Sequence, residues 1–496
     1  MTTAQRVPTK RSHTDGRAWA VAFWVLLSAG VALRIALLFT PAFTVDSDNA
    51  IVYLVAKHIS EGDIAWFFWG QTYGGTLLEF VAGAAMLVFG AHIEVLSVVA
   101  TLIFAGVAVL VRQLGTLLFD TRVGTVAGIV FWFSGYYTLK VSISEPGFYG
   151  PSLLLGLGVI IVSLRTDARH PVLQWATVGL LAGLAFWQSP MAAALALPAI
   201  VILVLRQRRA PGLWKRIVAA ALAATVGALP WLIAFSVSLG ALSPKGASHF
   251  SPRGFVTLFT STLASTFGAA GGIPSILIAL ACAALLVLLG VLAVRHRNPG
   301  AAALFLGTAL ASLVIVVGSG VVLSANDTRY SVYLLPALTL SLAYAAVRVR
   351  WVPVVVVALA VGLTLTHIAV VKPTLSWTTA GRYGVGDITG LGNYLTSRGV
   401  TAVYGDYWIA YSLAAETHEH VTAASLSEPR RYAPYETAAA ALDPRVVVVQ
   451  AGNENDAALK SGTKAVGAFE RTEVDGFAIY SFAAPFDPYA SLWALY

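Results

Sequence analysis

Residues 41–90 read PAFTVDSDNAIVYLVAKHISEGDIAWFFWGQTYGGTLLEFVAGAAMLVFG, and they directly follow the first long apolar run of the chain. Two carboxylates, Asp46 and Asp48, open this stretch one residue apart. The amphipathic, aromatic-rich segment that comes next is too polar to cross a bilayer. Ionisable groups beside a membrane helix are candidates for a functional site. We therefore predict that 41–90 is an outer loop that carries an active site.

The rest of the chain has the composition of a polytopic membrane protein. Hydrophobic residues make up 57% of the 496 residues and charged residues only 11%, whereas about a quarter of a soluble domain is charged. Apolar runs suited to membrane helices lie near residues 18–40, 93–111, 123–141, 148–164, 172–188, 191–205, 216–239, 273–294, 300–324, 330–347 and 352–371. We predict an α-helical membrane protein with about 11 spans, and up to about 13.

The positions of Lys and Arg predict the orientation. If each apolar run crosses once, the basic N-terminus and most basic loops fall on one side, which marks that side as cytoplasmic. These loops contain Arg112, Arg122, Arg165, Arg169, Arg206, Arg208, Arg209, Lys215, Arg216, Arg295, Arg297, Arg348 and Arg350. Residues 77–90 must then be a short or re-entrant outer helix, because a further crossing would move every later basic loop outside.

The predicted domain organisation has three parts. A basic tail, 1–17, precedes a membrane domain, 18–374, which includes the outer loop 41–90. A second outer loop spans about 240–274, and its segment 255–267 is apolar on one face and could lie in the interface. Charged residues and Gly return after residue 371, so 375–496 is predicted to be a soluble extracytoplasmic α/β domain. The predicted elements are helices at 386–398, 408–416 and 435–442 and strands at 400–404, 446–450, 465–470 and 477–482.

The pair Asp46 and Asp48 has three interpretations. In an extended segment the D-x-D spacing puts both side chains on one side, where they could share Mg²⁺ or Mn²⁺. One aspartate could instead act as a general base while the other orients it. The third interpretation is structural: Asp48 would cap a helix that begins at Asn49. The position beside a membrane helix favours a function.

The loop also resembles a known family. The residues SDNAIVYLVAKHISEGD and FFWGQTYGGTL resemble the first outer loop of the C-type (GT-C) glycosyltransferases, which include the protein O-mannosyltransferases and the aminoarabinose lipid A transferases. In those proteins the loop reads D-E-A, a short helix ending near H-I-x-x-G, then G-Q-P-Y-x-G-T-L-E-A. The match places Asp48 on the catalytic aspartate. Two positions differ from that pattern. Asn49 stands where the glutamate of D-E-A is expected, and Leu78 stands where the glutamate after G-T-L is expected, with Glu79 as the next residue. Asp46 could supply the carboxylate that is missing beside Asp48.

The resemblance implies a GT-C-like fold, a polyprenyl-phosphate sugar donor and an acceptor glycosylated on the outer face. It extends to Arg329 and Tyr330 in NDTRYSVYLLPAL, where the family's arginine meets the lipid phosphate. A guanidinium suits bidentate contact with phosphate. The structural alternative is an arginine that snorkels to the headgroups at the end of a span.

Four further residues are candidate substrate contacts, each with a structural alternative. Lys57 and His58 could bind the same phosphate, or form the solvated face of an amphipathic helix. Glu145 could bind the acceptor or a metal, or pair with Lys140. Tyr73, like Trp66 and Trp69, could stack on a sugar ring, or anchor the loop at the interface.

These observations predict a membrane glycosyltransferase that moves a hexose or pentose, with inversion, from a polyprenyl phosphate to a lipid, glycan or protein acceptor. The alternative is a lipid or glycan transporter or flippase of the cell envelope. A transporter predicts charged residues in mid-span and paired broken helices, whereas here the polar residues collect on one predicted face. The Ala-, Val-, Gly- and Arg-rich composition is typical of a high-GC bacterium, so a bacterial cytoplasmic membrane is expected.

Overall fold

The structure is a computed structural model of the chain. It describes residues 11–40, 43, 45–71, 73–145, 147–165, 169–237, 252–269, 271–318, 328–371, 387–442, 445–461, 468–483 and 488–489. The predicted tail 1–17, the second outer loop and the boundary at 374/375 therefore lie partly or wholly outside the described residues.

Helices account for nearly all regular structure up to residue 371. They are α1 (Arg11–Leu38), α2 (Ser47–Glu61), α3 (Leu77–Phe89), α4 (Ile93–Leu118), α5 (Thr121–Trp132), α6 (Tyr136–Ile143), α7 (Tyr149–Leu164), α8 (Pro171–Gln188), α9 (Pro190–Gln207), α10 (Leu213–Gly227), α11 (Leu229–Val237), α12 (Pro252–Thr257), a π-helical turn (Leu258–Leu263), α13 (Ala264–Thr266), α14 (Gly272–Arg295), α15 (Pro299–Gly318), a 3₁₀ turn (Thr328–Tyr333), α16 (Leu335–Ala346) and α17 (Val352–Val371).

The chain is a multi-pass membrane protein. Within the described residues, six helices are long and apolar enough to cross a membrane, and the number rises to eight if α5 with α6 and α10 with α11 each form one bent span. Each of the eleven predicted apolar runs overlaps one of these helices, the 18-residue α8, or the shorter α7 and α16. Helix α3 has 13 residues, or about 20 Å, which is short of the ~30 Å hydrocarbon core. It is therefore a short helix, as the topology argument required.

The chain divides into two compact units. The membrane unit consists of residues 1–36, 100–143 and 148–369, and the second unit consists of residues 37–99, 144–147 and 370–496. The sequence predicts loop 41–90 as part of the membrane domain. In the structure, this loop packs in the same unit as the C-terminal residues. The reason is that α2 buries its apolar face against α3 and against a C-terminal helix, Tyr407–Glu416.

In the membrane unit, a core of Leu, Val, Ala and aromatic side chains runs through the bundle. Helices α8 and α10 approach so closely that a Cβ on Gly183 would clash with the Ala224 carbonyl oxygen. Small residues allow such contact where lipid gives no hydrophobic drive for helices to associate. Arg34 is fully buried in this unit, and its Nε and Nη2 donate to Ser142 Oγ (2.7 Å) and the Trp132 carbonyl (2.8 Å).

The C-terminal part of the second unit is a small α/β fold. Its elements are α18 (Thr389–Ser397), β1 (Ala402–Gly405), α19 (Tyr407–Glu416), β2 (Thr422–Ser425), α20 (Ala433–Ala440), β3 (Arg445–Gln450), α21 (Glu454–Lys460), β4 (Phe469–Val474) and β5 (Phe477–Phe482). The strand order is β2-β1-β3-β5-β4. The first three strands are parallel, and the β4–β5 hairpin joins antiparallel to β3.

Sequence patterns account for this sheet. Residues 446–449 of β3 form a continuous buried Val run, as expected of a strand covered on both faces. The edge strand β4 exposes charged side chains, which discourage pairing with other chains. Residues 465–467 of the predicted strand 465–470 lie outside the described residues, and the described strand β4, Phe469–Val474, extends beyond the predicted end. Strand β2 and helix α21 were not predicted.

Candidate active site

Helix α2 presents the first candidate residues. Asp46 is its N-cap: the Asp46 side chain accepts from the Asn49 backbone N–H (3.1 Å), and Asn49 Oδ1 accepts from the Asp46 N–H (2.8 Å). This reciprocal capping box satisfies two of the free donors of the first turn. Gly62 ends the helix with φ 97°, a conformation that favours glycine.

Two expectations about this end of the helix are wrong. Asp48 does not cap a helix starting at Asn49, because Asp46 is the cap and the helix begins at Ser47. The two aspartates also do not lie on one side of an extended segment, because Asp48 is already in the first helical turn. Asp46 and Asp48 therefore have different environments.

The Asp48 carboxylate meets the C-terminal α/β fold. Tyr407, the first residue of α19, donates its hydroxyl to Asp48 Oδ1 at 2.6 Å. The neighbouring Ser47 donates to the Tyr407 carbonyl oxygen at 2.6 Å and lies 2.9 Å from the Trp408 carbonyl. The N-terminal turns of α2 and α19 are thus joined at the candidate base.

A second junction lies at the other end of α2. Glu419 accepts from Lys57 Nζ (2.6 Å), His58 Nε2 (2.9 Å) and the Tyr435 hydroxyl (2.6 Å). Lys57 also pairs with Glu61 at 2.9 Å. Burial opposes the charge on Glu419, but its hydrogen bonds with His58 and Lys57 outweigh burial and lower the pKa of Glu419 to about 2. Burial likewise opposes the charge on His58, and Glu419 outweighs it, so the pKa of His58 is raised.

These contacts match the structural alternative for Lys57 and His58 more closely than phosphate binding. Their cationic groups face Glu419 and are only 14% exposed. His58 also contacts Asp63 at 3.2 Å. Within the described ranges, the set of three groups close enough to share an ion is His58, Glu61 and Glu419. Lys57 already pairs with both of these carboxylates, so the set has the character of an ion-pair cluster.

Glu79 and Glu145 are both buried carboxyl residues of the same unit. Both side chains are 1% exposed, and Glu79 lies in the first turn of α3. Burial raises the pKa of Glu79 well above its usual range, and the charge of Glu145 adds to the rise. Among the described residues, Glu79 Oε2 has no hydrogen-bond partner. Burial thus favours the protonated form of Glu79, which stands one residue beyond the glutamate of the loop pattern.

The aromatic loop residues separate into buried and exposed groups. Trp69 is 8% exposed and stacks on Tyr432 with ring centroids 4.0 Å apart, so that this face is occupied. Tyr73 is 44% exposed and remains available to a substrate. The side-chain amide of Gln71 is oriented so that its nitrogen and its oxygen both have partners. The nitrogen donates to Tyr73 Oη (3.2 Å), and the oxygen accepts from Arg431 Nη1 (2.7 Å).

Arg329 and Tyr330 lie in the membrane unit, in the 3₁₀ turn before α16. Both are half-buried, and the Arg329 guanidinium carbon lies 5.3 Å from the centre of the Tyr330 ring. Such a contact restricts the orientation of the guanidinium. The turn thus holds the Arg329 cation just before α16, at the start of the predicted run 330–347.

Sequence reasoning missed Tyr407, Glu419 and Arg431. Each lies more than 300 residues from its partner in the outer loop, so no local spacing could connect them. One signal was available: α19 begins with D-Y-W, in which Asp406 caps the helix by accepting from the Trp408 and Ile409 N–H groups. That cap fixes Tyr407 in the first turn of a helix.

Comparison with profiles of known protein families gives no match, and comparison with curated protein sequences gives none. Solved structures do match. ArnT from Cupriavidus metallidurans in the apo state superposes with a TM-score of 0.65 at 13% identity, over 94% of this chain and 100% of that chain. The same protein bound to undecaprenyl phosphate gives 0.61 at 14% identity, over 95% and 99%.

The oligosaccharyltransferase AglB from Archaeoglobus fulgidus, in complex with an inhibitory peptide and a dolichol-phosphate, gives a TM-score of 0.50 at 12% identity, over 93% of this chain and 74% of that chain. The chain therefore has the GT-C fold of these membrane transferases, and the fold expected from loop 41–90 is confirmed.

Proposed function

We propose that this protein is a glycosyltransferase that moves a sugar from a polyprenyl-phosphate donor to an acceptor hydroxyl at the outer face of a bacterial cytoplasmic membrane. The observation that carries the proposal is Asp48. It lies in the first turn of α2, inside the loop with the family's pattern, in a chain with the fold of ArnT. ArnT has been solved with undecaprenyl phosphate and AglB with a dolichol-phosphate, which supports a lipid-linked donor.

The reaction is a single displacement. Asp48 removes the proton from the acceptor hydroxyl as a lone pair of that oxygen forms the new bond to the anomeric carbon. The bond from the anomeric carbon to the phosphate oxygen breaks, and its electron pair stays on the polyprenyl phosphate. That leaving group is a stable anion and needs no proton, so one carboxylate suffices, unlike the two of a glycosidase. Attack opposite the leaving group inverts the anomeric centre.

The other candidate residues receive separate roles. Arg329, with Tyr330 against it, binds the lipid phosphate and stabilises the charge that develops there. Tyr73 contacts the sugar or the acceptor, and Glu145 contacts the acceptor. We assign Lys57 and His58 to the structural junction with Glu419. Asp46 and Asp48 could hold Mg²⁺ or Mn²⁺, as the sequence suggested, but Asp46 already serves as a cap and no step depends on the ion.

A transporter or flippase is the competing function, and the fate of the donor separates the two. Membranes containing the full-length chain are supplied with undecaprenyl-phosphate arabinose, mannose or glucose, each ³H-labelled in the sugar. We expect label in an acceptor, with release of an equal amount of undecaprenyl phosphate. Label that stays on intact donor with all three sugars would contradict a transferase.

The proposed contact of Arg329 with the lipid phosphate can be tested by substitution. Arg329→Lys keeps the charge but loses the fork of the guanidinium, so the KM for the donor should rise about 10-fold. Arg348→Lys is the matched control, because the Arg348 guanidinium also lies over a tyrosine ring, that of Tyr344 at 4.1 Å. An equal KM for the two variants would remove Arg329 from the phosphate site.

The proposed orientation can be tested by labelling. Cys282, the single cysteine of the chain, is buried and can be replaced by Ala as a background. Glu454 and Arg208 are both exposed. With a membrane-impermeant maleimide on intact spheroplasts, Glu454→Cys should label and Arg208→Cys should label only after lysis. The reverse pattern would place the α/β fold in the cytoplasm.

A further inference from the structure

Tyr407 is held more firmly than an ordinary buried tyrosine. Its side chain is buried, with 7% of the residue exposed. Its backbone N–H donates to Ser427 Oγ at 3.0 Å, and its carbonyl oxygen accepts from Ser47 Oγ at 2.6 Å. Asp406 caps the helix that Tyr407 begins. Both sides of the residue are thus fixed, and so is the direction in which the phenol points.

The phenol hydroxyl is a permanent donor in this environment. Burial raises the pKa of Tyr407 far above its usual value, and the charge of Asp48 adds to the rise. The positive charge of Arg431 lowers that pKa in part. The Arg431 guanidinium carbon lies 5.9 Å from the centre of the Tyr407 ring and 5.2 Å from that of Phe68. Tyr407 therefore remains protonated over any physiological pH.

These contacts form a chain from the exposed loop to the candidate base. Gln71 bonds to Tyr73 and to Arg431, the Arg431 guanidinium lies near the Tyr407 ring, and Tyr407 donates to Asp48. A fixed donor on a carboxylate has two opposing effects. It stabilises the charged form and so reduces basicity, but it also locks the plane of the carboxylate toward the acceptor. Misplacement by 1 Å can cost about 100-fold in rate, so orientation outweighs the modest loss of basicity.

We propose that Tyr407 is a positioning residue, which holds the carboxylate of Asp48 in the orientation that receives the acceptor proton. This inference rests on the proposed transferase function. It assigns the C-terminal α/β fold a direct part in the reaction, since that fold supplies Tyr407 and Arg431. It also predicts that the phenol acts on the chemical step and leaves donor binding unchanged.

The test compares two tyrosines of the same unit. Tyr407→Phe and Tyr435→Phe each remove one hydroxyl that donates to a carboxylate at 2.6 Å. Purified full-length wild type, both variants and Asp48→Asn are assayed with the three labelled undecaprenyl-phosphate sugars, and thermal unfolding is recorded in detergent. We expect Tyr407→Phe to lower kcat about 10- to 100-fold, with the KM for the donor within about 2-fold of wild type. Tyr435→Phe should keep the wild-type kcat.

The outcomes separate the two proposals. If the wild type transfers none of the sugars, or Asp48→Asn transfers as well as wild type, the proposed function fails, and the role of Tyr407 fails with it. If Asp48→Asn is inactive while Tyr407→Phe keeps the wild-type kcat, the positioning role alone is wrong. Equal losses of kcat in Tyr407→Phe and Tyr435→Phe would likewise reject it, because the hydroxyl would then act only through folding.

Discussion

Each end of α2 is joined to the α/β fold at a carboxylate that accepts a tyrosine hydroxyl, yet the two carboxylates differ. At one end Asp48 of α2 accepts from Tyr407 at 2.6 Å, and at the other end Glu419 of the α/β fold accepts from Tyr435 at the same distance. Glu419 additionally binds the cations Lys57 and His58. Its pKa falls to about 2, which leaves it a poor base. We infer that the charges around a carboxylate, more than the hydrogen bond it accepts, decide between a structural and a chemical role.

The largest expected effect comes from exchanging each carboxylate for its amide. Asp48→Asn keeps an oxygen that Tyr407 can donate to but removes the base, so kcat should fall about 10²- to 10⁴-fold. The unfolding midpoint should stay close to wild type. Transfer of labelled sugar and thermal unfolding in detergent provide both measurements. Loss of folded protein in step with the loss of activity would show that Asp48, too, is structural.

Glu419→Gln should show the opposite pattern. It leaves Lys57 and His58 half-buried without their shared partner, and we expect unfolding to become easier by about 1–3 kcal/mol, less than for a fully buried pair. The kcat of the folded fraction should stay within about 2-fold. Glu473→Gln is the control, because Glu473 is 55% exposed in its pair with Arg471 and surface pairs contribute about 0–1 kcal/mol. A stable but inactive Glu419→Gln would overturn the division of roles.

This contrast shows where sequence reasoning reaches its limit. Apolar runs predicted the membrane helices because burial in lipid requires long stretches of one chemistry. The loop pattern indicated Asp48 as the candidate base, which stays a prediction. The position of the cap was wrong by two residues, because Asp46 and Asp48 are both good caps. Tyr407 and Glu419 meet α2 across about 360 residues of chain, and only the fold brings them there. Strand β2, TAAS, was missed because its small residues carry no strand pattern.

The pH dependence of stability should sharpen the comparison with a smaller effect. Because the pKa of His58 is raised, its contribution is complete below its ordinary pKa of about 6.5 and is lost as the pH rises through the higher folded value. Glu419 contributes above about 4.5 and loses its contribution as the pH falls toward 2. Lys57, Glu61 and Asp63 are the other charged groups at this junction. Stability should therefore be greatest between about pH 4.5 and 6.5.

The measurement is the unfolding midpoint from pH 4 to 9 for wild type and for His58→Gln. We expect the decline of the midpoint above pH 6.5 to be shallower in His58→Gln, since the titrating group is gone. A decline of equal slope in both proteins would show that the titration of His58 does not contribute to the pH dependence of stability.

The smallest effect concerns Asp46 and tests whether the N-terminal end of α2 holds one functional carboxylate or two. Asp46→Ala removes the cap and should destabilise the protein by about 1 kcal/mol, whereas Asp46→Asn keeps a cap of equal quality and should cost only a few tenths. Transfer by Asp46→Asn should stay near wild type in the presence and absence of a chelator. If Asp46→Asn instead loses transfer while its unfolding midpoint holds, Asp46 acts as a second carboxylate or a cation ligand. The N-terminal end would then differ from the C-terminal end by a pair of carboxylates and not by Asp48 alone.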